Sequence, residues 1–443
     1  MLVARGFTVT GSDAHAYPPM SIELKSLGIE IMEGYAASNL DHAPDLVVVG
    51  NVCRADHPEA VAAQKLGLKF ASMPKTVHDL FIQDRRSIVI AGTHGKTTTT
   101  ALTAYLLEAT GRDPSVLVGG VTADFGSGYK LGQGPDFVIE GDEYDSAYFE
   151  KVPKFLSYAP SAAAITSIEH DHIDIYPTAD AYMDVFHELV RLVDPGPLAV
   201  YAGDADALFA ARGFDARVVT YGVQGDPMPP GTSWVATHRD DGEFSLLIDG
   251  VEAGTWKTVM HGTHNLRNTL GALILAHHAA GIPLDELATA LPGFGGIARR
   301  QQVVARPRGI TLYDDFAHHP TAVDETLRAL KRLHRDGRLI AAFEPRSATA
   351  CRRLHQQRYA EAFDAADLAI IAPVGRDLPA QEMLDTGRLA DDLRARGVEA
   401  VAASTIDEVV DLITRRAQPG DGVALLSNGA FGGILNTLER ALE

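Results

Sequence analysis

The chain has 443 residues, 46% of them apolar, with 58 acidic against 39 basic side chains and a net charge of −19. That length suits about three domains, the charge repels nucleic acid and anionic lipid, and no apolar run approaches the roughly 18 residues that would span a bilayer. Cys53 and Cys351 are too few for a disulfide framework or a cysteine-rich zinc site, and MLVARGFTVTGSD lacks the ordered parts of a signal peptide, so the expectation is a soluble, cytoplasmic protein with reduced thiols.

Short β-branched runs alternate with helical patterns closed by glycine, which predicts an α/β chain with parallel sheets. In residues 1–84, FTVTG and DLVVVGN predict strands, and SIELKSLG and PEAVAAQKLG predict helices closed by Gly28 and Gly67. A dinucleotide-type unit opens with a strand and a glycine-rich turn. Here FTVTGSD already has the character of the second strand, with Ser12 and Asp13 at its end, so a Rossmann-like unit lacking its first strand is expected.

Residues 85–298 predict a central domain with buried strands SIVIAG, DFVIEGDE and AAAITSIE and a helix from about Asp180 to Val193, stopped by Pro195 and Gly196. Residues 215–260 change to alternating patterns, VVTYGV, SWVATH and EFSLLIDG, and predict a β-rich insert before the helix LRNTLGALILAHHAAG. PGFGGIARR predicts a hinge. Over 299–443, ITLYDDF, RLIAAFEP, LAIIAPV and GVALLSN recur as strands with helices between them, a second Rossmann-like, doubly wound domain.

The stretch IVIAGTHGKTTTTAL carries the sharpest chemistry. A Walker loop has four residues between its first glycine and the Gly-Lys pair, whereas only Thr93 and His94 separate Gly92 from Gly95 and Lys96. The context is nevertheless that of a phosphate cradle: a buried strand before it, and after it a helix over Thr97–Glu108 with Leu102, Tyr105 and Leu106 on its apolar face. Amides at the helix start can cradle phosphate oxygens, Lys96 supplies charge, and a threonine hydroxyl can meet magnesium.

The next two strands end in EGDEYD and SIEHDH. Ligands gather at the carboxyl ends of strands in such sheets, so Glu140, Asp142, Glu143, Asp171 and His172 could face the same phosphates and their Mg2+. His170 and His172 also have the spacing of a zinc pair. Asn265 and Asn268, three apart on a first helical turn, could read a nucleotide edge or cap the helix. Arg299 and Arg300 could bridge phosphates across the hinge, and YDDFAHHP sets Asp314, Asp315 and His318 at the rim of the C-terminal sheet.

The order GTHGKT, EGDEYD, IExDH, HNxxN, hinge arginine and DDFAHHP resembles the Mur ligase family over nearly the whole chain. The resemblance implies three domains that bind a UDP-sugar, ATP and an incoming amine. YDSAYFEK, DDFAHHP, FEPRS and SNGAFGGI are similar to members that join UDP-N-acetylmuramate to the diaminopimelate-containing tripeptide L-Ala-γ-D-Glu-meso-diaminopimelate, rather than to free L-alanine. By the same resemblance Gly92, Thr93, His94, Gly95, Lys96, Thr97, Thr98, Asn265, Asn268, Arg300 and Asp315 are expected at ATP. Thr97, Glu140 and His172 are expected at magnesium, with Lys96, Glu140 and His172 catalytic. Ser12, Asp13 and His318 are expected at the other substrates, as are Glu344 and Arg346, which could meet the charged ends of diaminopimelate or form a strand-end salt bridge. Several relatives use a carbamylated lysine, but no lysine falls between Lys154 and Lys257, where it would lie, so a carbamate is not supported; His187 near its place is either a partial substitute or, the reading favoured by its position, an ordinary helix residue. An ATP-binding module without catalysis, or a metallohydrolase on EHDH and AHHP, are the readings from other classes.

Overall fold

In the computed structural model, residues 1–16, 20–170, 175–213, 217–239 and 242–442 are described. Three α/β units follow one another. Among the described residues the central one holds a ten-stranded sheet, ordered Val251–Lys257, Glu243–Ile248, Trp234–His238, Arg217–Val223, Pro197–Tyr201, Ala162–Ile165, Arg86–Ala91, Asp136–Glu140, Ser115–Leu117, Tyr129–Lys130. Its middle is parallel. The stretch read as a β-rich insert is continuous with this sheet: Arg217–Val223 pairs in parallel with Pro197–Tyr201, and two antiparallel hairpin pairings extend the edge.

The strand Arg86–Ala91 shows why the run SIVIA is apolar throughout. Ile88 and Ile90 face a core built with Leu102, Leu106, Leu270 and Leu273, while Val89 and Ala91 face a second core built with Phe137, Phe155 and Phe186. A parallel strand covered by helices on both faces needs apolar side chains at every position. Helices Lys96–Ala109 and Thr263–His278 share the first core, and Ala179–Val193 lies in the second.

The C-terminal unit repeats the plan, with strands ordered Gln302–Ala305, Thr311–Asp315, Gly422–Leu426, Leu339–Phe343, Leu368–Ile371, Glu399–Ala402. All pairings are parallel except the first. The N-terminal unit is different. Thr10–Asp13 pairs in parallel with Glu30–Glu33, and Val47–Val49 with Phe70–Ser72, but among the described residues the two pairs do not join. Met1 and Leu2 pack against the second core of the central unit.

Candidate functional site

The phosphate loop runs from the end of the strand Arg86–Ala91 to the first turn of the helix Lys96–Ala109. Its two glycines are required by geometry. Gly92 has φ +125° and a Cβ there would stand 2.3 Å from Thr166 Oγ1; Gly95 has φ +83° and a Cβ would stand 2.3 Å from Asn268 Oδ1. The loop is therefore wedged between the segment after the strand Ala162–Ile165 and the first turn of Thr263–His278.

Lys96 turns back under the loop, donating to the Gly92 carbonyl at 2.6 Å and to Glu143 at 2.9 and 3.1 Å. Burial pushes its ammonium down, but the charges of Glu143, Asp142 and Glu140 override this and hold it above the ordinary lysine value. It is a cation at any physiological pH. Thr97 donates to Glu140 Oε1 at 2.9 Å, and Glu140 Oε2 accepts from the Gly119 amide at 2.7 Å. This hydroxyl–carboxylate pair consists of hard oxygen donors of the kind magnesium selects.

The linker reaches the same spot. Arg300 Nη2 lies 3.4 Å from Thr97 Oγ1 and its guanidinium covers the Phe316 ring at 4.9 Å. Two linker residues, Arg299 at φ +62° and Gln301 at φ +49°, are held in the left-handed region. Buried Asp315 keeps them there: it accepts from the Gln301 amide and from the Ala317 amide, both at 2.7 Å, while the Arg299 carbonyl accepts from the Phe316 amide. Asp315 thus fixes the backbone that aims Arg300. Asn268 donates to Asn265 Oδ1 at 3.2 Å, and Asn265 donates to the His261 carbonyl at 2.9 Å. A cavity of about 610 Å³ opens beside them, lined among others by Thr98, His261, Asn265, Ile297, Arg300 and Gln301. Its volume is that of a pocket for a nucleoside-sized ligand.

The other expected residues have these surroundings. His172, with Asp171, falls outside the described residues. Ser12 donates to Glu59 at 2.6 Å and Asp13 accepts from the His15 amide, both within the N-terminal unit. His318 Nδ1 bonds the Phe316 carbonyl. Glu344 is buried under Ser427, and the Arg346 guanidinium stands 3.5 Å from it with its stem crossing Gly375 and Gly429. His187 lies on Ala179–Val193 against Phe209 and Asp184. Sequence reasoning did not bring one further group together. Glu169 gathers His94 and, from the C-terminal unit, His319, Thr321 and Arg358. GTHGKT, IEHDH and AHHP hold three of these residues, His94, Glu169 and His319, but no motif marks Thr321 or Arg358.

A strand, a glycine loop with a buried lysine, a hydroxyl–carboxylate pair and an arginine from a second α/β unit together define an enzyme of the nucleotide-dependent ligase type. The chain belongs to the Mur ligase family: residues 1–85 match the Mur ligase family catalytic domain, 90–276 the Mur ligase middle domain, and 299–429 the Mur ligase glutamate ligase domain. It is 37% identical to the UDP-N-acetylmuramate–L-alanyl-γ-D-glutamyl-meso-2,6-diaminoheptandioate ligase of Escherichia coli over 97% of this chain and 92% of that one. It is 34% identical to the ligase of the same name from Haemophilus influenzae, over the same shares. A crystal structure of a murein peptide ligase from Psychrobacter arcticus is 33% identical, covering 100% of this chain and 95% of its own, with a TM-score of 0.71.

Proposed function

We propose that the chain is an ATP-dependent ligase that joins the lactyl carboxylate of UDP-N-acetylmuramate to the free α-amine of L-Ala-γ-D-Glu-meso-diaminopimelate, releasing ADP and phosphate. The reaction returns recovered cell-wall peptide to peptidoglycan synthesis in the cytoplasm. The observation that carries the reading is the convergence of Lys96, Thr97, Glu140 and Arg300 at the mouth of the loop, beside the cavity lined by Asn265. The names of its relatives supply the substrates.

A carboxylate does not acylate an amine at neutral pH, because oxide is too poor a leaving group. Transfer of the γ-phosphoryl group makes an acyl phosphate, and the amine then expels phosphate. Such transfer needs positioning and charge neutralisation rather than a protein nucleophile. We assign the loop Gly92, Thr93, His94 and Gly95 to the phosphates, with Lys96 and Arg300 stabilising the charge that moves. Thr98, Asn265 and Asn268 belong to the nucleoside end, and Asp315 holds the linker. Thr97 and Glu140 would hold magnesium, with His172 as the third ligand by resemblance; when bound, it neutralises charge on the transferred group and the leaving oxygen. Ser12 and Asp13 are assigned to the UDP-sugar, and His318, Glu344 and Arg346 to the amine.

The test is an amine panel of tripeptide, its lysine analogue and free L-alanine, scored by amide formation and ADP release. Release that requires both UDP-sugar and tripeptide is expected. Preferential use of L-alanine, or ADP release without the sugar, would overturn the assignment.

A further inference from the structure

Residues 92–94 of the phosphate loop are sewn to the segment Thr166–Glu169. The Thr93 amide donates to the Ser167 carbonyl at 2.9 Å, the His94 amide to Ser167 Oγ at 3.0 Å, and Thr93 Oγ1 both donates to the Glu169 carbonyl and accepts from the Glu169 amide. The Glu169 carboxylate then crosses to the C-terminal unit. Its Oε2 lies 2.9 Å from His94 Nε2, accepts from Thr321 Oγ1 at 3.1 Å and lies 3.7 Å from His319 Nδ1. Its Oε1 accepts from Arg358, which also donates to Thr321 at 3.0 Å. Thr321 is on the first turn of the helix Pro320–Leu333 and Arg358 on the helix Gln356–Ala362. One carboxylate therefore touches both the loop and two helices of the other unit.

We propose that Glu169 is a positioning residue for ligation: it clasps the phosphate loop to the C-terminal unit, so that the loop is fixed where the amine-bearing unit docks. This rests on the loop holding ATP as argued above. The physical reason is the number of donors on one carboxylate. Moving the C-terminal unit away strips the Arg358 and Thr321 donors from Glu169, and its bond to His94 loses the partners that orient it. Two imidazoles and a carboxylate within 4.8 Å of one another also have the composition of a divalent metal site. Here, however, the carboxylate already carries a guanidinium on Oε1, so the protein supplies the cation itself, and a second cation would repel Arg358.

The test uses the full chain with Glu169→Gln, which keeps shape and removes charge, and Arg358→Ala, which weakens the clasp from the more exposed side. ATP affinity by calorimetry should stay near wild type in both, while kcat for amide formation falls about tenfold to hundredfold, the usual span for coupling between two sites. The double variant should fall no further than Glu169→Gln alone. Wild-type kcat, additive losses, or ATP affinity lost by the same factor as kcat would each overturn the clasp. So would a stoichiometric transition metal, read by elemental analysis, that Glu169→Gln releases. A wild-type chain that binds no ATP at all would instead sink the functional reading on which the clasp stands.

Discussion

Lys96 stands 2.9 Å from Glu143 Oε2, and the Glu143 side chain is fully buried. The loop lysine is thus one half of an interior ion pair as well as the charge offered to a phosphate. Lys96→Ala should lower turnover by about two to three orders of magnitude, the usual loss for one preorganised charge on a transferring group. It should also cost about 3–5 kcal/mol of stability, because it leaves the Glu143 carboxylate buried without its ammonium. Adding Glu143→Gln should recover much of the stability and none of the turnover. Trp234 and Trp256, the chain's two tryptophans, both lie in the central unit, so fluorescence-detected denaturant unfolding reads this unit directly.

Gly95→Ala should weaken ATP binding by about tenfold or more, since the left-handed backbone alone costs an L-residue about 1–2 kcal/mol and the new Cβ meets Asn268 Oδ1. Gly111→Ala is the control: φ is +76° but nothing lies within 4 Å of a Cβ there. Calorimetry should show normal ATP affinity for the control, and equal affinities in the two variants would remove Gly95 from the site.

If the reaction proceeds through a carboxyl phosphate, oxygen-18 placed in the sugar carboxylate must leave with the phosphate. Mass spectrometry of the released phosphate reads this directly. Unlabelled phosphate formed together with amide product would exclude the intermediate.

His278 gives the central unit a pH dependence on the acid side. Burial holds its imidazole down from 6.5 to about 4, with His277 and Arg217 adding to the effect and Asp249 opposing it. The folded group binds its proton later than the unfolded one. Stability should therefore rise with pH across that window and be fully present above it. His278→Gln should flatten this limb in tryptophan-detected unfolding; an unchanged slope between the two ends of the window would show that His278 does not titrate with folding.

Much of the site was legible because it is local. SIVIA, a glycine turn and a threonine-rich helix announce a strand, loop and helix within fifteen or so residues, and Asn265 and Asn268 are placed on one face by helical spacing alone. The clasp was not legible, because Glu169 meets Thr321 and Arg358 across 152 and 189 positions of sequence, and pairing at that range leaves no periodic trace. The strands Glu30–Glu33 and Phe70–Ser72 escaped for another reason: EIME and FAS are short, half-exposed and carry a single β-branched residue between them. The alternation over 215–260 does identify strands, but only register shows that they prolong the central sheet rather than stand beside it.

The split pairing in the N-terminal unit bears on how the molecule opens. Its own core cluster consists of buried Leu40, Ala62 and Ala63, while Val48 on a strand, Ile22 on a helix and Val52 in a loop are 40%, 64% and 80% exposed. A unit with so little apolar burial and two disconnected ladders has few contacts to lose, so its amides should exchange by local opening well below the free energy that protects the strand Arg86–Ala91. A ligand that touches both strand pairs would act as their missing mortar, and its binding should appear first as slowed amide exchange in Thr10–Asp13 and Val47–Val49, with the central sheet unchanged.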